Sequence, residues 1–159
     1  AGAQNNLGVL YEKGNGVPQD FSQAFRLYQK SANQGYAEAQ NNLGFMYKTG
    51  KWVRQDHKKA FELFQRSANQ GLAPAQFNLG VMYEYGYGVD KDYREAFNLY
   101  QKSANQGHAK AQGNIGAMYA KGRFVAQNYN IAKEFLRKSC NNGNEKGCED
   151  YRFLISNLR

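Results

Sequence analysis

With 159 residues, 42% hydrophobic and 21% charged, the chain has the make-up of a folded protein with a core, not of a disordered or collagen-like one. No apolar run is long enough to cross a bilayer as a helix. Two cysteines and two histidines leave little material for a metal centre or a nucleophile–base pair, and the formal net charge of +8 favours an acidic partner over a basic one.

The chain repeats itself every 36 residues without an insertion. Leu7-Gly8, Leu43-Gly44, Leu79-Gly80 and Ile115-Gly116 fall in one register, as do Tyr11, Tyr47, Tyr83 and Tyr119. Such a period denotes stacked supersecondary units. The chain opens at Ala1, already inside the first helix of a unit, with no initiator Met, leader or N-cap ahead of it. That start fits removal of a leader and earlier repeats, or an artificial boundary. Within each unit the spacing predicts two helices. In the second unit the first runs from Ala39 to about Thr49, with Ala39, Leu43, Met46 and Tyr47 on one stripe and Gly50 as the stop. Asp56 is the expected N-cap of the second helix, as are Asp20, Asp92 and Asn128, and Asp92 with Glu95 makes a capping-box pattern. The second helix carries Ala60, Phe61, Leu63, Phe64 and Ala68 and stops at Gly71. Small residues alternating with large ones would let neighbouring helices interlock. Units 1–36, 37–72, 73–108 and 109–144 are followed by a single helix over 145–159. There Tyr151 takes the Leu7 slot, Arg152 the glycine slot and Ile155 the tyrosine slot, which reads as a polar cap on one repeat domain, 1–159.

The motif A-x-A-Q-x-N-L-G-x-x-Y-x-x-G, followed by D-x-x-x-A-F-x-L-Y/F-x-K/R-S-A-N-Q-G, resembles the Sel-one-like repeat (SLR) family, a relative of the tetratricopeptide repeat. The resemblance implies an all-α fold, a right-handed α-solenoid of helix-turn-helix repeats with a C-terminal capping helix. It also implies a bacterial exported or envelope protein that binds another protein, and no shared catalytic residues. Cys140 and Cys148 resemble the pair of the cysteine-rich bacterial branch, which is a disulfide there. That pairing would place the protein in the periplasm or outside the cell. The residues alone leave a bridge or two buried free thiols; a metal site lacks further ligands.

Constant positions across units are scaffold, and varying ones are candidates for binding. Asn41, Phe45 and Lys48, with Phe77, Val81 and Glu84, form one helical stripe on the first helices of the central units, which in related solenoids line the concave face. Either they anchor a partner or the two phenylalanines pack between units. Asn6, Asn42, Asn78 and Asn114 are constant and read as a hydrogen-bond ladder. On the loops, Trp52 and Phe124 stand where units one and three have Gly16 and Gly88; with Tyr85 they form a second candidate surface, either folded on the solenoid edge or offered to a partner. His57 and His108 occupy packing slots and are assigned structural roles. No phosphate loop, carboxylate cluster or nucleophile elbow is present, so no enzyme, cofactor or metal is expected. Lys and Arg outnumber Asp and Glu nine to four over 109–159, but the cations do not recur at one repeat position, which argues against nucleic acid. Two further functions stay open: an immunity-type protein that neutralises an exported toxin, and a penicillin-binding or weakly β-lactam-hydrolysing enzyme.

Overall fold

The computed structural model describes residues 1–157, so Leu158 and Arg159 of the expected capping helix lie outside the described residues. Among the described residues there are nine helices and no strand: α1 (Gly2–Lys13), α2 (Phe21–Asn33), α3 (Ala37–Thr49), α4 (His57–Asn69), α5 (Ala73–Tyr85), α6 (Tyr93–Asn105), α7 (Ala109–Lys121), α8 (Tyr129–Asn141) and α9 (Glu145–Asn157). Each helix packs on those before and after it in the chain, which makes an all-α solenoid. No helix is long and apolar enough to cross a membrane among these residues.

The caps follow from local chemistry. Asp20, Asp56, Asp92 and Asn128 each accept from a backbone N–H in the first turn of α2, α4, α6 and α8 at 2.9–3.0 Å. Asp92 takes the Arg94 and Glu95 amides together. Gly50 and its equivalents close the first helices in the left-handed conformation, at φ 63–74°. The first helices begin two residues earlier than the sequence predicts, at Ala37 rather than Ala39. Their N-caps, Tyr36 and Leu72, bring no side-chain hydrogen bond and so no sequence signal.

A hole on one helix receives a knob from the next. Tyr28, Phe64, Tyr100 and Leu136 are buried to 2% exposure or less. A Cβ on Gly8, Gly44, Gly80 or Gly116 would stand 2.7–2.9 Å from those side chains, closer than real contacts allow. Only glycine permits this approach. In α9 the same slot holds Arg152, which is exposed. The cores lie at the junctions between units: Ala60, Phe64 and Ala68 of α4 meet Ala75, Leu79 and Met82 of α5.

Buried polar groups fasten the two helices within each unit and, through Gln70 and Gln106, one unit to the one before. Ser31, Ser67, Ser103 and Ser139 are fully enclosed, and each Oγ donates to the carbonyl of Ala1, Ala37, Ala73 or Ala109 at 2.7–2.8 Å. Gln70 Nε2 donates to the Gly35 carbonyl at 2.9 Å and to Gln40 Oε1 at 2.8 Å, and Gln106 repeats both bonds on Gly71 and Gln76. A buried polar group satisfied this way costs little, whereas an orphan costs about 1–3 kcal/mol. Cys140 and Cys148 form a disulfide between the end of α8 and the start of α9, with Cα atoms 4.4 Å apart.

Candidate interaction surface

The stripe that varies along the first helices divides into two kinds of residue. Phe45 is 44% exposed, but Phe77, its neighbour in the pattern, is half-buried with its ring 5.7 Å from Tyr100 and 4.9 Å from His108. Val81 packs on the same core. Both side chains pack against the core formed by α6 and α7. Asn41 is also engaged: its Oδ1 accepts from Asn78 Nδ2 at 2.9 Å, and Asn5 accepts from Asn42 at 3.1 Å. The ladder therefore runs between unlike positions, each constant asparagine bonding the residue before its own counterpart. At the third junction that acceptor is replaced by Phe77.

Glu84 is engaged in a different way. Its carboxylate, only 10% exposed, accepts from the Tyr100 hydroxyl at 2.6 Å and lies 3.5 Å from Arg123. Glu12 holds Tyr28 in the same way at 2.5 Å. Burial, reinforced by the carboxylate, pushes both hydroxyls far above their ordinary range, so they stay donors at all working pH. Where the second helix has Phe64 the partner slot is Lys48, and where it has Leu136 the slot is Ala120. The variation at this position follows the core residue opposite. Lys48 has no such partner; burial pulls its ammonium below the usual lysine range.

The loop edge is the exposed part. Trp52 is 62% exposed, Tyr85 52%, Phe124 47% and Tyr87 38%. Trp52 lies flat on Phe21, ring centres 3.7 Å apart. A groove beside it is lined by Phe21, Phe45, Met46 and Trp52, with Lys13 and Lys51 at its rim.

Both histidines are occupied in the scaffold. The His57 ring stacks on Tyr87, centres 5.0 Å apart, and its Nδ1 is enclosed without a partner. His108 does more than fill space: its Nδ1 accepts from the Ala111 amide at 3.3 Å, capping α7. That bond needs a neutral ring, and burial, helped by Lys110, lowers the imidazole pKa. Because the unfolded chain binds the proton more readily, this contribution to stability is complete above the ordinary histidine pKa and is lost as pH falls through the depressed one. His108→Leu, the residue unit two carries at Leu72, is expected to lose less stability than the parent between pH 7.5 and 5, read as the difference in melting temperature. Among the described residues no group of His, Cys, Asp and Glu could hold a metal ion.

The Sel1 repeat model matches residues 1–36, 37–72, 73–108 and 109–144. The chain is similar to a protective antigen of uropathogenic Escherichia coli displaying an SLR fold, at 39% identity and TM-score 0.83, over 92% of this chain and 31% of that one. It thus spans about a third of that protein. A Sel1 repeat protein from Oxalobacter formigenes matches at 28% identity and TM-score 0.82, over 98% of this chain and 70% of its own. Helicobacter pylori cysteine rich protein B, at 23% identity and TM-score 0.63 over 86% and 98%, shares the fold. No curated protein matches the chain in sequence. Four matched repeats covering all but the last helix make this chain a member of the Sel1 repeat family.

Proposed function

We propose that the chain is a non-enzymatic protein-binding solenoid of a bacterial exported or envelope protein. The observation that carries this reading is the contrast between interior and edge. The repeating polar groups are paired within and between units, whereas Phe45, Trp52 and Tyr85 are exposed, Phe45 and Trp52 lining one groove. Large aromatic side chains left exposed next to cations are the anchors and rim of an interface. The partner-binding residues are Phe45, Lys48, Trp52 and Tyr85; Asn41, Phe77, Val81 and Glu84 hold them in place. The Cys140–Cys148 disulfide supports an oxidising compartment.

The test is a pull-down from envelope extract with the parent chain and with Phe45→Ala. The expected result is one protein retained by the parent and lost with the variant, whose melting curve stays within about 1 kcal/mol of the parent because the ring is largely solvated. No retained protein, or equal retention by both, would contradict the reading. The enzyme alternative makes the opposite forecast for a chromogenic β-lactam. Purified protein is expected to show no saturable turnover, since His108 Nδ1 is taken by a backbone amide and His57 Nδ1 is enclosed.

A further inference from the structure

The three junctions between units each set one aromatic ring on the turn, and they do so by different routes. At the first, Trp52 rests on Phe21; at the third, Phe124 lies 5.7 Å from Phe97. Both are at positive φ, 70° and 67°, where the matching turns have Gly16 and Gly88 at 76° and 72°. Only glycine takes that conformation without strain, and a bulky residue there is an outlier that calls for a function. At the middle junction a Cβ on Gly88 would meet the His57 carbonyl at 2.5 Å, so no ring fits. The ring is displaced by one residue: Tyr87, stacked on His57, takes its place. Each ring is thus propped from below by an aromatic side chain of the preceding unit, with its outer surface in water.

The charge beside the rings has one sign at both ends of the row. Gly50 to Gln55 contains Lys51 and Arg54, and Gly122 to Gln127 contains Arg123; neither turn has a carboxylate. The acids within reach, Glu12 and Glu84, are tied to Tyr28 and Tyr100. The three rings stand on the α3–α4, α5–α6 and α7–α8 turns, one per unit.

We propose that the loop edge binds an extended acidic segment of the partner protein, with apolar side chains that sit on Trp52, Tyr87 and Phe124 and carboxylates that meet Lys51 and Arg54. This rests on the protein-binding reading and centres it on the turns, where Phe45 shares a groove with Trp52. A single-stranded nucleic acid would also stack on rings, but it needs cations that track every phosphate. Here the middle turn has Asp90 beside Lys91, and Arg123 already faces Glu84.

Trp52 is the only tryptophan, so its emission reports on the edge directly. The probes are three synthetic peptides with the same leucines in a Gly/Ser background, carrying glutamate, glutamine or lysine between them. The glutamate peptide is expected to shift the emission to the blue, saturably and less so in high salt, and to bind at least tenfold more tightly than the others. With a labelled peptide read by anisotropy, Trp52→Gly and Phe124→Gly should each weaken binding tenfold or more at unchanged melting temperature, because glycine is native to this turn at Gly16 and Gly88. Binding indifferent to peptide charge, undiminished in Trp52→Gly, or absent for every peptide would overturn the proposal. So would a larger emission shift from an oligonucleotide or from anionic vesicles. If the envelope partner is retained by Trp52→Gly and lost with Phe45→Ala, the edge is wrong and the protein-binding reading stands; if the parent retains no partner, that reading itself has failed.

Discussion

Replacing Tyr100 by alanine is expected to destabilise the protein by about 3–5 kcal/mol, measured by chemical denaturation. The ring is fully buried against Gly80, and its loss opens a cavity that the glycine cannot fill. Its hydroxyl is also the closest hydrogen-bond donor to a carboxylate that is only 10% exposed. Tyr100→Phe separates the two effects. It keeps the ring in the pose that Phe64 adopts one unit earlier and removes the donor, so it should cost about 1–3 kcal/mol. Adding Glu84→Lys copies the Lys48–Phe64 combination of unit two and should recover most of that loss. A Tyr100→Phe variant as stable as the parent, or a double variant no better than the single one, would show that the two positions are not coupled.

That pairing also marks the limit of what the sequence discloses. The period of 36, the glycine stops and the acidic N-caps are local signals repeated four times, and they are enough to set the helices, their order and the stacking. The Glu84–Tyr100 bond joins residues 16 apart through a glycine hole, and no pattern within one helix announces it. Variation at Glu12, Lys48, Glu84 and Ala120 thus looks like a binding surface when it tracks the neighbouring core. One signal was available: the slot changes in step with Tyr28, Phe64, Tyr100 and Leu136. Phe45 and Phe77 differ for the same reason, since similar side chains meet different neighbours. The edge rings were legible as side chains at glycine positions, but their strain and their support by Phe21, His57 and Phe97 exist only in three dimensions.

Removing the disulfide is expected to cost about 2–3 kcal/mol from the closed-loop entropy alone, and to cost it locally. Among the described residues α9 packs chiefly on α7 and α8, so nearest-neighbour coupling should confine the loosening to α9 and the end of α8. Native protein, denatured without reductant, should show no free thiol; two free thiols in material from its own compartment would remove the main support for an exported location. The repeat itself supplies the sharper control. Cys140 occupies the slot of Ala104 and Cys148 that of Gln112, and Gln112 Nε2 donates to the Ala104 carbonyl at 3.2 Å. Gln40 makes the same bond to Ala32 at 3.4 Å. The bridge therefore stands where two other junctions have a hydrogen bond. Cys140→Ala with Cys148→Gln restores the residues of those junctions and should recover about 1 kcal/mol relative to Cys140→Ala with Cys148→Ala. Hydrogen exchange should show α9 opening in both variants, less in the first, with α1 to α6 unchanged. Equal loss of protection along the whole array would mean that the solenoid unfolds as one unit, and that the bridge acts on all of it.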